Sequence, residues 1–205
     1  MPLPSPVAEA GQAYADDQAA LTEAAVQLSD GIARTRLNGD PNQWRDAVAD
    51  QAPQLLALQQ AAVEQAEPFL TTALEAQGAS AAADGAISAA AFVDQTDGGG
   101  SWMRNLIYAP PSAYRDAIAA GKGDTLARLQ AQFVANSIVV SAMQDIPRSA
   151  VTTGMFARGQ VRGYVRALRG KSCARCAILA GRRYRVSAFR RHPRLPLRLL
   201  HDPCG

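Results

Sequence analysis

The chain has 205 residues, 48% of them hydrophobic and 6% aromatic, and a formal net charge of +3; that is enough for one good core, or for a helical domain with a small appendage. No run of about 18 apolar residues occurs, which argues against a membrane span. The start, Met1-Pro-Leu-Pro-Ser-Pro, lacks the basic and apolar segments of a secretory signal, so the expectation is a protein kept in a reducing cytoplasm with its three cysteines free or metal-bound.

After a Pro-rich start, the pattern from Gln12 to Leu37 predicts a helix, with Tyr14, Leu21, Ala25, Leu28 and Ile32 on one stripe. Asn38-Gly-Asp-Pro41 breaks it, because Gly suits a left-handed C-cap and Pro the first turn of a following helix. A second helix is expected from Asn42 to Ala66, with Trp44, Val48, Leu55, Leu58 and Ala62 buried and Pro53 kinking or splitting it. A shorter helix follows from Pro68 to Gln77. Residues 1–77 therefore read as an N-terminal helical hairpin, whose stripes serve either packing within the chain or a coiled-coil partner.

Residues 78–100, rich in Ala and Gly, read as a flexible connector around a short helix from Ala83 to Val93; its Gly triplet has no Lys-Ser/Thr beside it and is no phosphate loop. Residues 101–159 read as a second helical group. Order resumes at Ser101-Trp102, Pro110-Pro111 precedes a helix from Ser112 to Ala120, and Gly121-Lys-Gly123 closes it. Asp124 or Thr125 caps the next helix, which runs to Gln144 with Leu126, Leu129, Phe133 and Val140 on its core face. Pro147 is expected to open another helix ending near Gly159.

Beyond residue 160 the pattern changes to a small α+β module, residues 160–194: a strand from Tyr164 to Leu168, a turn at Gly170-Lys-Ser, a helical turn from Cys173 to Leu179 and a strand from Arg183 to Val186. The fold class is thus mainly α with a small Cys-containing α+β end. All cysteines and both histidines lie between Cys173 and Gly205, and charge segregates the same way. Residues 1–147 carry seven basic and 17 acidic side chains, residues 148–205 carry 14 basic and one acidic. Arg158, Arg162, Arg166, Arg169, Lys171, Arg182 and Arg183 are the candidates to face a polyanion or an acidic protein surface. Cys173-Ala-Arg-Cys176 has tetrahedral-metal spacing, for which zinc is the natural occupant, with His192, His201 and Cys204 as the available completing ligands. A redox dithiol and two plain buried cysteines are the alternatives. The catalytic signatures His-Glu-x-x-His and Gly-x-Ser-x-Gly are absent, and acids are scarce around the histidines, which disfavours an enzyme.

The ordered series Gly163-Tyr-Val-Arg, Cys173-Ala-Arg-Cys176-Ala-Ile-Leu179-Ala-Gly181-Arg-Arg-Tyr184 and Arg191-His-Pro-Arg194 resembles the MuF-type phage head morphogenesis domain, closest to minor capsid proteins of tailed phages of actinobacteria. The resemblance covers about residues 160–194. It implies a virion protein that associates with the portal, contacts scaffold or major capsid protein, and acts in head assembly, DNA packaging or ejection. By the same resemblance the protein is in the host cytoplasm during assembly and then inside the capsid. Some relatives are labelled capsid maturation proteases, which is the alternative function. A nucleic-acid-binding zinc module unrelated to phage is the third reading. The basic end fits salt-sensitive contact with packaged DNA.

The family pattern has Cys-x-Cys after His-Pro-x, where this chain has Leu195-Pro-Leu197. The metal set implied is then Cys173, Cys176 and His192, with Cys204 or His201 as substitutes. Leu-Pro-Leu-Arg-Leu written as CTG CCC CTG CGG CTG reads Cys-Pro-Cys-Gly one base on. We therefore expect residues 195–205 to be a frame-shifted tail, which leucine codons at 195 and 197 that do not end in TG would exclude.

Overall fold

The computed structural model describes residues 5–37, 40–95, 100–165 and 183–185. The chain is mainly helical: α1 (Ser5–Arg36), α2 (Pro41–Glu64), α3 (Ala66–Glu75), α4 (Trp102–Ala119) and α5 (Asp124–Phe156), followed by the short strands β1 (Gly163–Val165) and β2 (Arg183–Arg185). Among the described residues no helix is long and apolar enough to cross a membrane. Two compact units form. The first gathers the described residues within 1–17, 64–87 and 148–205, the second those within 18–63 and 88–147. These units are not successive blocks of chain, because segments distant in sequence share each core.

In the second unit the expected hairpin is present. Gln18 donates its side-chain amide to the Ala62 carbonyl at 2.8 Å, which sets α1 and α2 antiparallel. Asp40 caps α2, its Oδ1 accepting from Asn42 N at 2.9 Å, and Pro41 takes the first turn, where its missing N–H costs nothing. Ala25, Ile32, Trp44, Val48, Leu55 and Ala62 are buried as the stripes predict. Pro53 sits inside α2 without dividing it.

Two corrections concern prolines. Pro110 and Pro111 lie within α4, which begins eight residues before them, and Pro147 lies within a single α5 where two helices were expected. Proline lacks the N–H that would bond the carbonyl four residues back. Pro110 thereby frees the Leu106 carbonyl, and the buried Trp44 indole N–H donates to it at 2.8 Å. The proline is tolerated because a tertiary bond replaces the helical one.

A third correction concerns α5. Leu126, Leu129 and Phe133, expected in the core, are 58%, 56% and 73% exposed, and Val140 is half-buried. The buried stripe is Ala127, Ala131, Ala135, Val139 and Ala142 with Met143. The other helices bring Trp44, Trp102, Leu55 and Leu106 to this core, so α5 has to offer small side chains for the volume to close.

The 78–100 connector is tethered, not free. The helix expected from Ala83 to Val93 is reduced to a single 3-10 turn at Ala89–Ala91. Asp94, at φ 58°, donates its N–H to Gln59 Oε1 at 2.8 Å, while its Oδ1 accepts from Ser101 Oγ at 2.8 Å and Met103 N at 3.1 Å. Ser101 in turn accepts from Arg104 N at 3.0 Å, so this pair starts α4 at Trp102. Gly121, at φ 78°, ends α4 with Lys122 N reaching back to the Ala117 carbonyl at 3.0 Å, a left-handed cap at the break where the sequence closes this helix.

At the start of α5, Tyr114 Oη donates to Asp124 Oδ1 at 2.7 Å and Arg128 Nε to its Oδ2 at 2.8 Å. The bond from Tyr114, then that from Arg128, holds the Asp124 carboxyl below the usual range, and the same bond raises Tyr114. The cluster is solvent-exposed, so its contribution to stability is small.

The first unit has a smaller core of Leu70 and Met155, with Phe69, Ile87, Val151, Val161 and Tyr164 packed on it. Tyr14 stacks on Phe69 at 4.5 Å and 19°. Burial pushes its hydroxyl far above the usual tyrosine range, against a smaller opposing pull from Arg148. Gly154 of α5 is closely packed here: a Cβ would meet Leu70 Cδ1 and Ile87 Cδ1 inside contact distance, so those side-chain ends would have to shift.

Candidate functional site

The candidate site is the strand-bracketed segment between residues 163 and 185. Strands β1 and β2 pair antiparallel in the register Gly163 to Arg185, Tyr164 to Tyr184 and Val165 to Arg183. The ladder sets Val165 opposite Arg183, and the 17 residues between them in sequence, 166–182, include Cys173 and Cys176. Tyr164 and Val161 pack on the Leu70–Met155 cluster, so β1 is anchored to the helical core of its own unit.

The approach to β1 is fixed by polar contacts. Asp84 N donates to the Ala157 carbonyl at 2.8 Å, and Gln160 Nε2 donates to the carbonyls of Ser80 at 2.7 Å and Ala82 at 3.1 Å. Between these, Arg158 is 1% exposed. Its Nε donates to the Ala81 carbonyl at 3.0 Å, its Nη1 to the Gly154 carbonyl at 2.9 Å, and its Nη2 to Glu67 Oε1.

This geometry corrects one site residue. Arg158, read from the sequence as facing a polyanion, is a buried clamp joining α3, the 80–82 segment and the end of α5. Two residues past the last turn of α5, its side chain folds back onto a carbonyl that the helix leaves without a partner. The sequence holds a signal for this: an Arg just after a helix terminus is a cap before it is a surface charge. Arg162 is exposed, as a polyanion-facing residue needs to be. Arg183 lies on β2 by its backbone.

Cys173, Cys176, His192, His201, Cys204, Arg166, Arg169, Lys171 and Arg182 lie outside the described residues, as do the turn at Gly170, the helical turn from Cys173 and the 195–205 tail. Among the described residues, no group of three or more His, Cys, Asp or Glu side chains is placed to hold a metal. That leaves the cysteine set untouched. If zinc is held, Cys173 and Cys176 supply two thiolates and His192 a third ligand, and the metal stabilises a module too small to bury a core of its own.

An open groove along the α1–α2 seam of the second unit is lined by Ala24, Gln27, Leu28, Gln54, Ala57 and Leu58. It presents no nucleophile, acid or base. Sequence reasoning missed the outward face of α5, although a signal was in view: no charged residue occurs from Leu129 to Gln144. No family model, curated protein or solved structure matches this chain.

Proposed function

We propose that this chain is a MuF-like minor capsid protein that associates with a phage portal and lies beside packaged DNA. The carrying observation is the ordered series Gly163-Tyr-Val-Arg, Cys173-x-x-Cys176, Leu179-Ala-Gly181, Tyr184 and Arg191-His-Pro. The pairing of β1 with β2 supports it, because the two strands flank the cysteine segment in sequence. Its role is structural: helices dock on portal and on scaffold or major capsid protein, and the basic end neutralises phosphate. Zinc bound by Cys173, Cys176 and His192, with Cys204 as a doubtful fourth, would hold the module together. The protein would assemble in the host cytoplasm and end inside the capsid.

The polyanion face, with Arg158 removed from it, consists of Arg162, Arg166, Arg169, Lys171, Arg182 and Arg183. About six phosphate contacts lose affinity roughly a thousandfold between about 50 and 200 mM salt. We expect binding of the full chain to duplexes of unrelated sequence to fall along that slope. Charge-neutral replacement of Arg162 should make the slope shallower, while the replacement of Gln27 should leave it unchanged. Salt-independent affinity contradicts the electrostatic contact, preference for one duplex sequence favours the zinc-module reading, and cleavage of a capsid precursor favours the protease.

A further inference from the structure

The outward face of α5 in the second unit has the composition of an interface and no described cover. Leu126, Leu129 and Phe133 follow at steps of three and four, so they form one stripe, and they are 58%, 56% and 73% exposed. Together they leave about 350 Å² of apolar surface open to water, comparable to the largest patch of a typical monomer, which is often functional. The stripe runs into sixteen residues, Leu129 to Gln144, with no charged side chain. That is about 24 Å of helix with a polar but uncharged border. Depletion of charge is what distinguishes the centre of a protein interface from ordinary surface.

We propose that the chain self-associates through this face, two copies of α5 crossing antiparallel about a two-fold axis at Phe133. Two features select a second copy over an unlike partner. Close to a two-fold axis a charge would lie against its own copy, and the stretch from Leu129 to Gln144 carries none. Its side chains are also spaced symmetrically about Phe133. Leu126 lies seven residues before it and Val140 seven after, Leu129 four before and Ser137 four after. Under the two-fold, Leu126 meets Val140 of the other copy, Leu129 meets Ser137, and Phe133 meets itself. Complete burial of the three apolar side chains from both copies removes about 700 Å², to which the polar border adds; that is the low end for an interface, so the dimer exchanges with monomer. The inference is independent of the phage reading.

Sedimentation of the full chain over a wide concentration series tests it. The mass should rise from one chain to two, and Phe133→Asp should abolish the rise without lowering the melting temperature, because that side chain faces solvent. In a background with Cys173, Cys176 and Cys204 changed to Ser, oxidation should link Phe133→Cys to itself. It should link Leu126→Cys to Val140→Cys in a mixture, and not Leu126→Cys to itself. If the serine background does not fold, the mass series on the natural chain still decides. A monomer at every concentration, a dimer indifferent to Phe133→Asp, or a Leu126→Cys self-link overturns the proposal. So does loss of a portal complex on Phe133→Asp while the chain alone is monomeric.

Discussion

Arg158→Ala should lower the stability of the first unit by about 3 kcal/mol, because it removes the buried side of a half-buried ion pair and strips the buried Gly154 carbonyl and the half-buried Ala81 carbonyl of a donor. The guanidinium reaches the Ala81 and Gly154 carbonyls and Glu67 together, and no shorter side chain spans them. Glu67 is 41% exposed at its side chain, so water takes over part of its charge once the arginine is gone. The deficit then falls mainly on the carbonyls and on the cavity left behind. Arg158→Lys should recover little, since an ammonium cannot reproduce the planar fork. Urea unfolding followed by protection of the 80–84 and 154–158 amides would show the effect. If Arg158→Ala unfolds like the natural chain but binds DNA more weakly, the residue faces polyanion after all and the clamp is wrong.

Gln59→Leu should cost the second unit about 2–4 kcal/mol. Gln59 is fully buried, and its Oε1 accepts from both Asp94 N at 2.8 Å and the Trp102 indole at 3.1 Å. Leucine fills a similar volume and accepts nothing, so the buried Trp102 indole and the half-buried Asp94 N–H lose their partner at about 1–2 kcal/mol each. Asp94 also holds the start of α4, so the loss should extend to the cap at Ser101. Gln59→Glu keeps the acceptor and should be milder near neutral pH. Gln59 Nε2 has no protein partner, so the acceptor is the part of this side chain that matters. Equal denaturation midpoints for Gln59→Leu and the natural chain would contradict this account.

The sequence made some of this legible and hid the rest for identifiable reasons. The stripes of α1 and α2 were readable because large apolar residues at helical spacing were also the buried ones. On α5 the same logic chose the wrong face, because alanines carry little hydrophobic signal and yet are what fits beside Trp44 and Trp102. The prolines of α4 and α5 read as helix starts because local rules cannot see that a tryptophan across the core takes up the carbonyl that Pro110 leaves free. Arg158 was grouped with its basic neighbours because sequence shows charge and not the carbonyls it folds onto. At the candidate site, Gly163–Val165 and Arg183–Arg185 pair where alternation starts the two expected strands; the rest of Tyr164–Leu168, Val186 and the segment between the strands lie outside the described residues.

The central claim, a portal-associated minor capsid protein, is tested most directly by co-expressing the full chain with the portal protein of its own gene neighbourhood and weighing the purified complex. The account predicts a stable complex holding few copies of this chain per portal ring. A portal ring that assembles intact and carries none of this chain would contradict it.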